Sequence, residues 1–171
     1  VGISRAAVST QLQQLVDSGL ELESVEGKGH RIPGGLELLD GDAVRERLAP
    51  GAAPLLDELA VHDIIDSTNA EALRRVAASA GRGLVCIAEQ QLAGRGRRGR
   101  PWVSPFGRNL YVSLVWEFNH GAAAMEGLSL ATGVAVARAL TDCGLPPVQL
   151  KWPNDVLFEG AKLGGILLEM T

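Results

Sequence analysis

Apolar positions along the chain fall into stretches of different period, and the periods predict the elements. Val8, Leu12, Leu15 and Val16 recur at helical spacing behind Ser4. That predicts a helix from about Arg5 to Asp17, capped by Ser4 and stopped near Gly19. From Leu20 to Glu26 the spacing loosens towards alternation, Gly27-Lys28-Gly29 is a turn, and His30-Arg31-Ile32 returns as a second strand before Pro33-Gly34-Gly35 breaks the chain. A helix followed by a short β-ribbon is either the second half of a winged-helix DNA-binding domain or a small α/β module of another kind. Residues 36–60 read as a connector, with a short helix at Asp42–Ala49 and a linker from Pro50 to Pro54.

Beyond the connector, Val61–Ile65 is a strand. Thr68-Asn69-Ala70-Glu71 fits a capping box that opens a helix to about Ala80. Gly81 and Gly83 end that helix, and Leu84–Glu89 is apolar and β-like. Leu110–Phe118 predicts another strand, and Ala123–Asp142 a long apolar helix buried on several sides. Val148–Trp152, Val156–Phe158 and Leu163–Glu169 predict three more strands, the last two joined through Glu159-Gly160. Helices interleaved with strands, together with short hairpin connections, predict an α+β fold: a mixed β-sheet with packed helices, preceded by a partial winged helix, and not a doubly wound parallel sheet. The expected domains are 1–40, a linker over 41–60, and a main domain over 61–171.

Composition changes this picture little. A chain of 171 residues with 46% hydrophobic residues is long enough to bury a core without staples. The net charge of −4 means that nucleic-acid affinity has to come from a local patch. Cys86 and Cys143 are too far apart for a metal or redox spacing, and are expected to be reduced packing thiols of a cytoplasmic protein. No apolar stretch reaches the ~18 residues that span a bilayer, and no membrane association is expected. The chain starts at Val1 rather than Met and stops at Thr171 inside an apolar run, so both ends are expected to be cut.

Three clusters carry candidate chemistry. The first is Gly94-Arg95-Gly96-Arg97-Arg98-Gly99-Arg100, between two apolar strands; from Gln91 to Val115 there are five arginines and no acid. Glycine lets the backbone take left-handed conformations, consecutive amides can curl around an anion, and guanidinium groups suit phosphate and carboxylate. The rival readings are a disordered basic loop and an arginine-glycine tract for RNA, but such tracts sit in long polar stretches and this one is short. The second cluster is Ser67-Thr68-Asn69 at a helix start, which either caps the helix or reads a polar ring or carboxylate. The third is Lys151-Trp152-Pro153-Asn154-Asp155 with Lys162 shortly after it. Either its Asn and Asp side chains hold a turn, or Asp155 is a Mg²⁺ ligand, since Mg²⁺ needs only one or two protein carboxylates. Lys162 is either a charge-neutralising group or a solvent-facing lysine at a strand start, and Gly164-Gly165 behind it permit close approach.

Together these residues resemble the biotin protein ligase family, including its bifunctional ligase/repressors. The resemblance rests on Asp66-Ser67-Thr68-Asn69, Ala88 through Arg100, Ser104-Pro105-Phe106-Gly107, Lys151 through Asp155, and Lys162 through Leu167, in order and spacing. It implies a biotin/lipoate ligase-like fold, related to class II aminoacyl-tRNA synthetases. Residues 61–171 would then be a C-terminally incomplete catalytic domain, with further strands and a small β-barrel beyond Thr171. Residues 1–40 would be the recognition helix and wing of a DNA-binding domain whose first helices lie upstream. The implied reaction consumes ATP with Mg²⁺, forms biotinoyl-AMP and moves biotin to a lysine of the biotin carboxyl carrier protein of acetyl-CoA carboxylase. Ser67, Thr68, Asn69, Gln91, Arg95, Gly96, Arg97 and Lys162 are implied as biotin contacts. Lys162, Arg95 and Arg97 are the implied catalytic groups, and Gly94, Arg98, Gly99, Arg100 and Trp102 belong to the adenylate loop. Operator DNA and a ligand-dependent homodimer are the further implied partners. Pro101 departs from the residue common at its position. A lipoate ligase and a non-catalytic, biotin-responsive DNA-binding regulator are the rival functions.

Overall fold

The computed structural model of the 171-residue chain describes residues 2, 4–79, 81–118 and 127–171. They divide into two compact units, Val1–Arg95 with Pro101–Trp116, and Gly96–Arg100 with Glu117–Thr171.

The first unit begins with α1 (Arg5–Asp17), whose Ser4 hydroxyl accepts from the Ala7 N–H as the sequence predicts. No residue of α1 is buried, and Val8, Leu15 and Val16 are exposed. Two short strands, β1 (Glu23–Val25) and β2 (Gly29–Arg31), pair antiparallel and are clipped by a 2.7 Å Arg31–Glu23 ion pair. The module is fastened by Leu20, which is buried, and by the Phe106 N–H, which donates to the Ser18 carbonyl at 3.1 Å. In the connector, α2 (Gly41–Glu46) lies earlier than expected because the Asp40 carboxylate accepts from the Asp42 and Ala43 N–H groups and sets the start.

The main sheet of this unit has the order β3 (Glu58–Ile65), β4 (Leu84–Gln91), β5 (Tyr111–Leu114). β3 and β4 run parallel, from Glu58 opposite Leu84 to Ile65 opposite Gln91, joined through α3 (Thr68–Ala77); β4 and β5 are antiparallel. β4 is the middle strand, which is why its Leu84–Ala88 run is continuously apolar rather than alternating. Ala60, Leu84 and Cys86 pack against Ala72 of α3, with Val115 at the edge. β3 reaches back to Glu58 because the Asp57 and Glu58 N–H groups both donate to the Gly83 carbonyl. A Cβ on Gly83 would lie 2.5 Å from the Leu55 carbonyl oxygen, so glycine is required at that crossing.

The second unit holds α4 (Leu128–Asp142) and a separate antiparallel sheet of β6 (Gln149–Lys151), β7 (Asp155–Phe158) and β8 (Ala161–Gly165). The fold is therefore α+β with a mixed sheet and packed helices, but the last three strands form a sheet of their own. Residues 123–126 of the expected helix lie outside the described residues. α4 also departs from its expected burial. Only Gly133 is buried, where a Cβ would sit 3.4 Å from Leu150, while Leu130 and Val134 are exposed. Nor is Cys143 a packing thiol: it caps the end of α4 in the open, whereas Cys86 is fully buried and burial pushes its thiol pKa up. Among the described residues no helix is long and apolar enough to cross a membrane.

Candidate functional site

The start of α3 is built differently from the predicted capping box. Ser67, not Thr68, is the N-cap, its hydroxyl accepting from the Ala70 N–H at 3.4 Å. Glu71 turns away to Arg74 and Arg75, whose guanidinium groups, Arg75 first, hold its carboxyl below the usual range. Asp66 braces the same turn. Its carboxylate accepts from the Ser67 N–H at 2.7 Å and from Arg74 Nη1 and Nη2 at 2.8 and 2.9 Å. Mainly through the Arg74 bond, its pKa is held well below the usual carboxylate range.

With Ser67 capping, the buried Thr68 is released for another task. Its N–H donates to Gln91 Oε1 at 2.9 Å, its hydroxyl donates to the same oxygen at 3.1 Å, and Ser113 Oγ lies 2.8 Å from that hydroxyl. Gln91 Nε2 donates to Ser104 Oγ at 3.3 Å, and Ser104 donates to the Trp102 carbonyl at 3.2 Å. Strand pairing brings Ile65 opposite Gln91, which is why α3, following β3, begins beside this amide. Asn69 follows in the first turn of α3, half-buried and engaged in interactions of its own.

Gly94 is buried against this chain. A Cβ there would stand 2.8 Å from Ser104 Oγ, 3.0 Å from Gln91 Nε2 and 3.0 Å from the Trp102 carbonyl oxygen. Main-chain bonds close the neck of the arginine-glycine loop: Trp102 N–H to the Gly94 carbonyl at 2.9 Å, Arg95 paired antiparallel with Pro101, and Gly96 N–H to the Arg100 carbonyl at 2.8 Å. At the tip, a 3-10 turn over Arg97–Gly99, the left-handed positions are Arg98 (φ 59°) and Gly99 (φ 69°). The glycines thus divide their tasks: Gly99 supplies the left-handed backbone expected of the loop, Gly94 supplies space, and an arginine takes a conformation that is costly for it. Arg95, Arg97, Arg98 and Arg100 are exposed, Gly96 and Trp102 half-buried.

In the second unit, Arg97 Nη1 donates to Asn154 Oδ1 at 3.1 Å. Asn154 is itself clamped, its Nδ2 donating to the Ile166 carbonyl and its own carbonyl accepting from the Ile166 N–H, both at 2.9 Å. One residue on, Asp155 Oδ1 lies 2.7 Å from Lys162 Nζ, in the β7–β8 hairpin whose register sets Lys162 opposite Leu157. Among the described residues no group of three or more His, Cys, Asp or Glu gathers to hold a metal. Asp155 is half-buried and already paired with Lys162, and a single carboxylate is enough for an ion that takes most of its ligands from phosphate and water.

The sequence pattern of the family described as "Biotin/lipoate A/B protein ligase family" matches residues 61–171. The chain belongs to this family. Within this ligase family, the chain is 44% identical over its whole length to the "Bifunctional ligase/repressor BirA" of Salmonella typhimurium, covering 51% of that protein. It is 42% identical over 138 residues, 78% of the chain, to the "Biotin--[acetyl-CoA-carboxylase] ligase" of Mycobacterium tuberculosis, covering 52% of it. Among solved structures, the biotin protein ligase from Aquifex aeolicus, described in complex with biotin and ATP, superposes with a TM-score of 0.57 at 34% identity, over 68% of this chain and 48% of that one. The chain spans about half the length of these curated relatives.

Three residues of these hydrogen-bond networks have no role in the sequence reading: Ser104 and Ser113 in the first unit and Asn154 in the second. Ser104 lies in the Ser-Pro-Phe-Gly motif and Asn154 in the Lys-Trp-Pro-Asn-Asp motif, so the sequence marks both as pattern without assigning either a partner. Ser113, inside a strand, carried no signal.

Proposed function

We propose that the protein carrying this chain is an ATP-dependent biotin protein ligase. The biotin carboxylate attacks the α-phosphate of ATP and pyrophosphate leaves; the amine of a carrier lysine then attacks the resulting anhydride and AMP leaves. The observation that carries this reading is the polar cluster of Thr68, Gln91 and Ser104 pressed against Gly94, at the neck of a cationic loop, in a member of this family. Ser67, Thr68, Asn69, Gln91, Arg95, Gly96 and Arg97 are assigned to biotin, and Gly94, Arg98, Gly99, Arg100 and Trp102 to the loop around the adenylate. Lys162 is assigned to the biotin carboxyl region. No protein nucleophile is required; Lys162, Arg95 and Arg97 stabilise charge while the loop excludes water. Mg²⁺ bound to the triphosphate would neutralise its charge, and Asp155 is the residue proposed to hold it. The acceptor is proposed to be the biotin carboxyl carrier protein of acetyl-CoA carboxylase, in the cytoplasm, where ATP is supplied.

The test is exchange of labelled pyrophosphate into ATP, run with biotin and with lipoate. Biotin-dependent exchange is expected. Exchange with lipoate alone would make this a lipoate ligase, and no exchange despite biotin binding would make it a regulator only.

A second reading adds DNA binding by residues 1–40, with 41–60 as linker and 61–171 as the catalytic part. It is favoured by α1 followed by the β1–β2 ribbon, the pattern of the second half of a winged helix, and by the ligase/repressor name of a relative matched along the whole chain. Arg5, Ser9, Thr10 and Gln13 face outward on α1. Residues 1–33 carry three basic side chains (Arg5, Lys28, Arg31) against four acidic ones (Asp17, Glu21, Glu23, Glu26), so binding is proposed to depend on a ligand-driven homodimer adding two half-sites. A gel shift on a palindromic operator with biotin and ATP tests it; no shift under any ligand condition removes the repressor role.

A further inference from the structure

We propose that Ser104 is a positioning residue that, together with the Thr68 N–H at the other end, fixes the polarity of the Gln91 amide, so that Gln91 offers a ligand a hydrogen-bond donor and no acceptor. This rests on the reading of the cluster as a biotin site.

The argument is a count of donors along one chain of hydrogen bonds. At one end stands the Thr68 backbone N–H, which can only donate and faces Gln91 at 2.9 Å. The amide oxygen must therefore turn towards Thr68. It also accepts from the Thr68 hydroxyl at 3.1 Å, which uses both of its lone pairs. Because the Thr68 hydroxyl has a single proton and gives it to Gln91, the 2.8 Å contact with Ser113 runs from Ser113 to Thr68. At the other end stands the Trp102 carbonyl, which can only accept and takes the Ser104 proton at 3.2 Å. The lone pairs of Ser104 are then left for Gln91 Nε2, at 3.3 Å. Two backbone groups of opposite and unchangeable polarity thus bracket the side chains between them, and every intervening proton has one direction. An amide flip would set an NH₂ against the Thr68 N–H, leaving buried donors without acceptors.

After this accounting Gln91 has one group left, the second N–H on Nε2. It suits an acceptor atom of the ligand, such as a ureido or carboxylate oxygen, and not a ureido N–H. Ser104 touches no ligand in this scheme; it acts through Gln91.

Biotin dissociation constants by titration calorimetry and kinetic constants by pyrophosphate exchange test the proposal in the full chain. Ser104→Ala is expected to raise the biotin KM about tenfold with kcat and the ATP KM unchanged, and Ser104→Thr, which keeps the hydroxyl, to restore most of it. In a Gln91→Ala background the same Ser104→Ala change is expected to matter less than twofold, because the group it acts through is gone. Additive losses in that cycle would make Ser104 a merely structural residue and overturn the proposal. Polarity is read from Gln91→Glu, which presents oxygens only: it should bind biotin more weakly than Gln91→Ala, and tighter binding than Gln91→Ala overturns the donor assignment. If the unaltered protein binds lipoate in place of biotin, the functional reading falls, and the same variants titrated with lipoate still decide the relay.

Discussion

Replacing Gly94 by alanine is the sharpest single probe of this site, because the added methyl meets three atoms of one hydrogen-bonded chain. The new Cβ would stand 2.8 Å from Ser104 Oγ, 3.0 Å from Gln91 Nε2 and 3.0 Å from the Trp102 carbonyl oxygen. Two of these atoms can rotate away, but each rotation breaks a hydrogen bond worth about 1 kcal/mol. The third is backbone, fixed by the Trp102 N–H bond to the Gly94 carbonyl, and moving it costs the roughly 1–3 kcal/mol typical of overpacking. Whichever route the site takes, the loss comes to about 2 kcal/mol, or a fall in Tm of roughly 4–8 °C for a chain of this size. Biotin affinity is expected to fall at least tenfold, since Gln91 no longer holds its orientation. The control is Gly99→Ala, where no atom lies within 4 Å and the only penalty is a left-handed backbone at φ 69°, about 1 kcal/mol. Gly99→Asn should recover most of that. Thermal unfolding and biotin titration of the three variants decide the matter. A Gly94→Ala protein with wild-type Tm and biotin affinity would refute the packing argument outright.

Three further outcomes are expected. Lys162→Gln should lose roughly a hundredfold in adenylation rate, about 3 kcal/mol, with an unchanged fold; near-normal turnover would return this lysine to a surface role. Arg97→Ala should release biotinoyl-AMP into solution, and Asn154→Ala should do so to a smaller extent, since Asn154 Oδ1 accepts from Arg97; adenylate retained in both variants would contradict this role for the loop. Asp66, held below its ordinary pKa chiefly by Arg74, stabilises the fold fully above the ordinary Asp value, and that contribution is lost as pH falls towards the lowered one. The stability difference between the wild type and Asp66→Asn, from urea unfolding, should therefore shrink below about pH 4; a difference constant from pH 6 to pH 3 would show that the pair contributes nothing through its charge.

What the sequence made legible follows from how local each signal is. The helix behind Ser4, the buried run of β4 and the existence of the arginine-glycine loop are set by neighbouring residues, and all three are found. Adjacent hydroxyl residues blurred the start of α3, because Ser67 and Thr68 can both cap a helix and the proximity of Gln91, on another strand, assigns them. Ser104 and Gln91 are thirteen residues apart and meet through a loop, which no periodicity records. The exposure of α4 was hidden for the opposite reason: an apolar composition states what a helix tends to bury, not which of its faces is covered. Short strands such as β6 to β8 announce themselves as strands, but their length leaves the choice of partner to the hairpins between them.

The loop's neck has a consequence for how such a protein can change. The bonds across it from Trp102 to Gly94 and from Gly96 to Arg100, and the pairing of Arg95 with Pro101, run from main chain to main chain. The residues between the two ends can therefore be exchanged without dismantling the frame that presents them. Arginines at the tip are free to be traded for other chemistry, one position at a time, each trial costing function before it costs folding. That arrangement makes Gly96–Arg100 a natural cassette for altering the charge and shape that the loop presents.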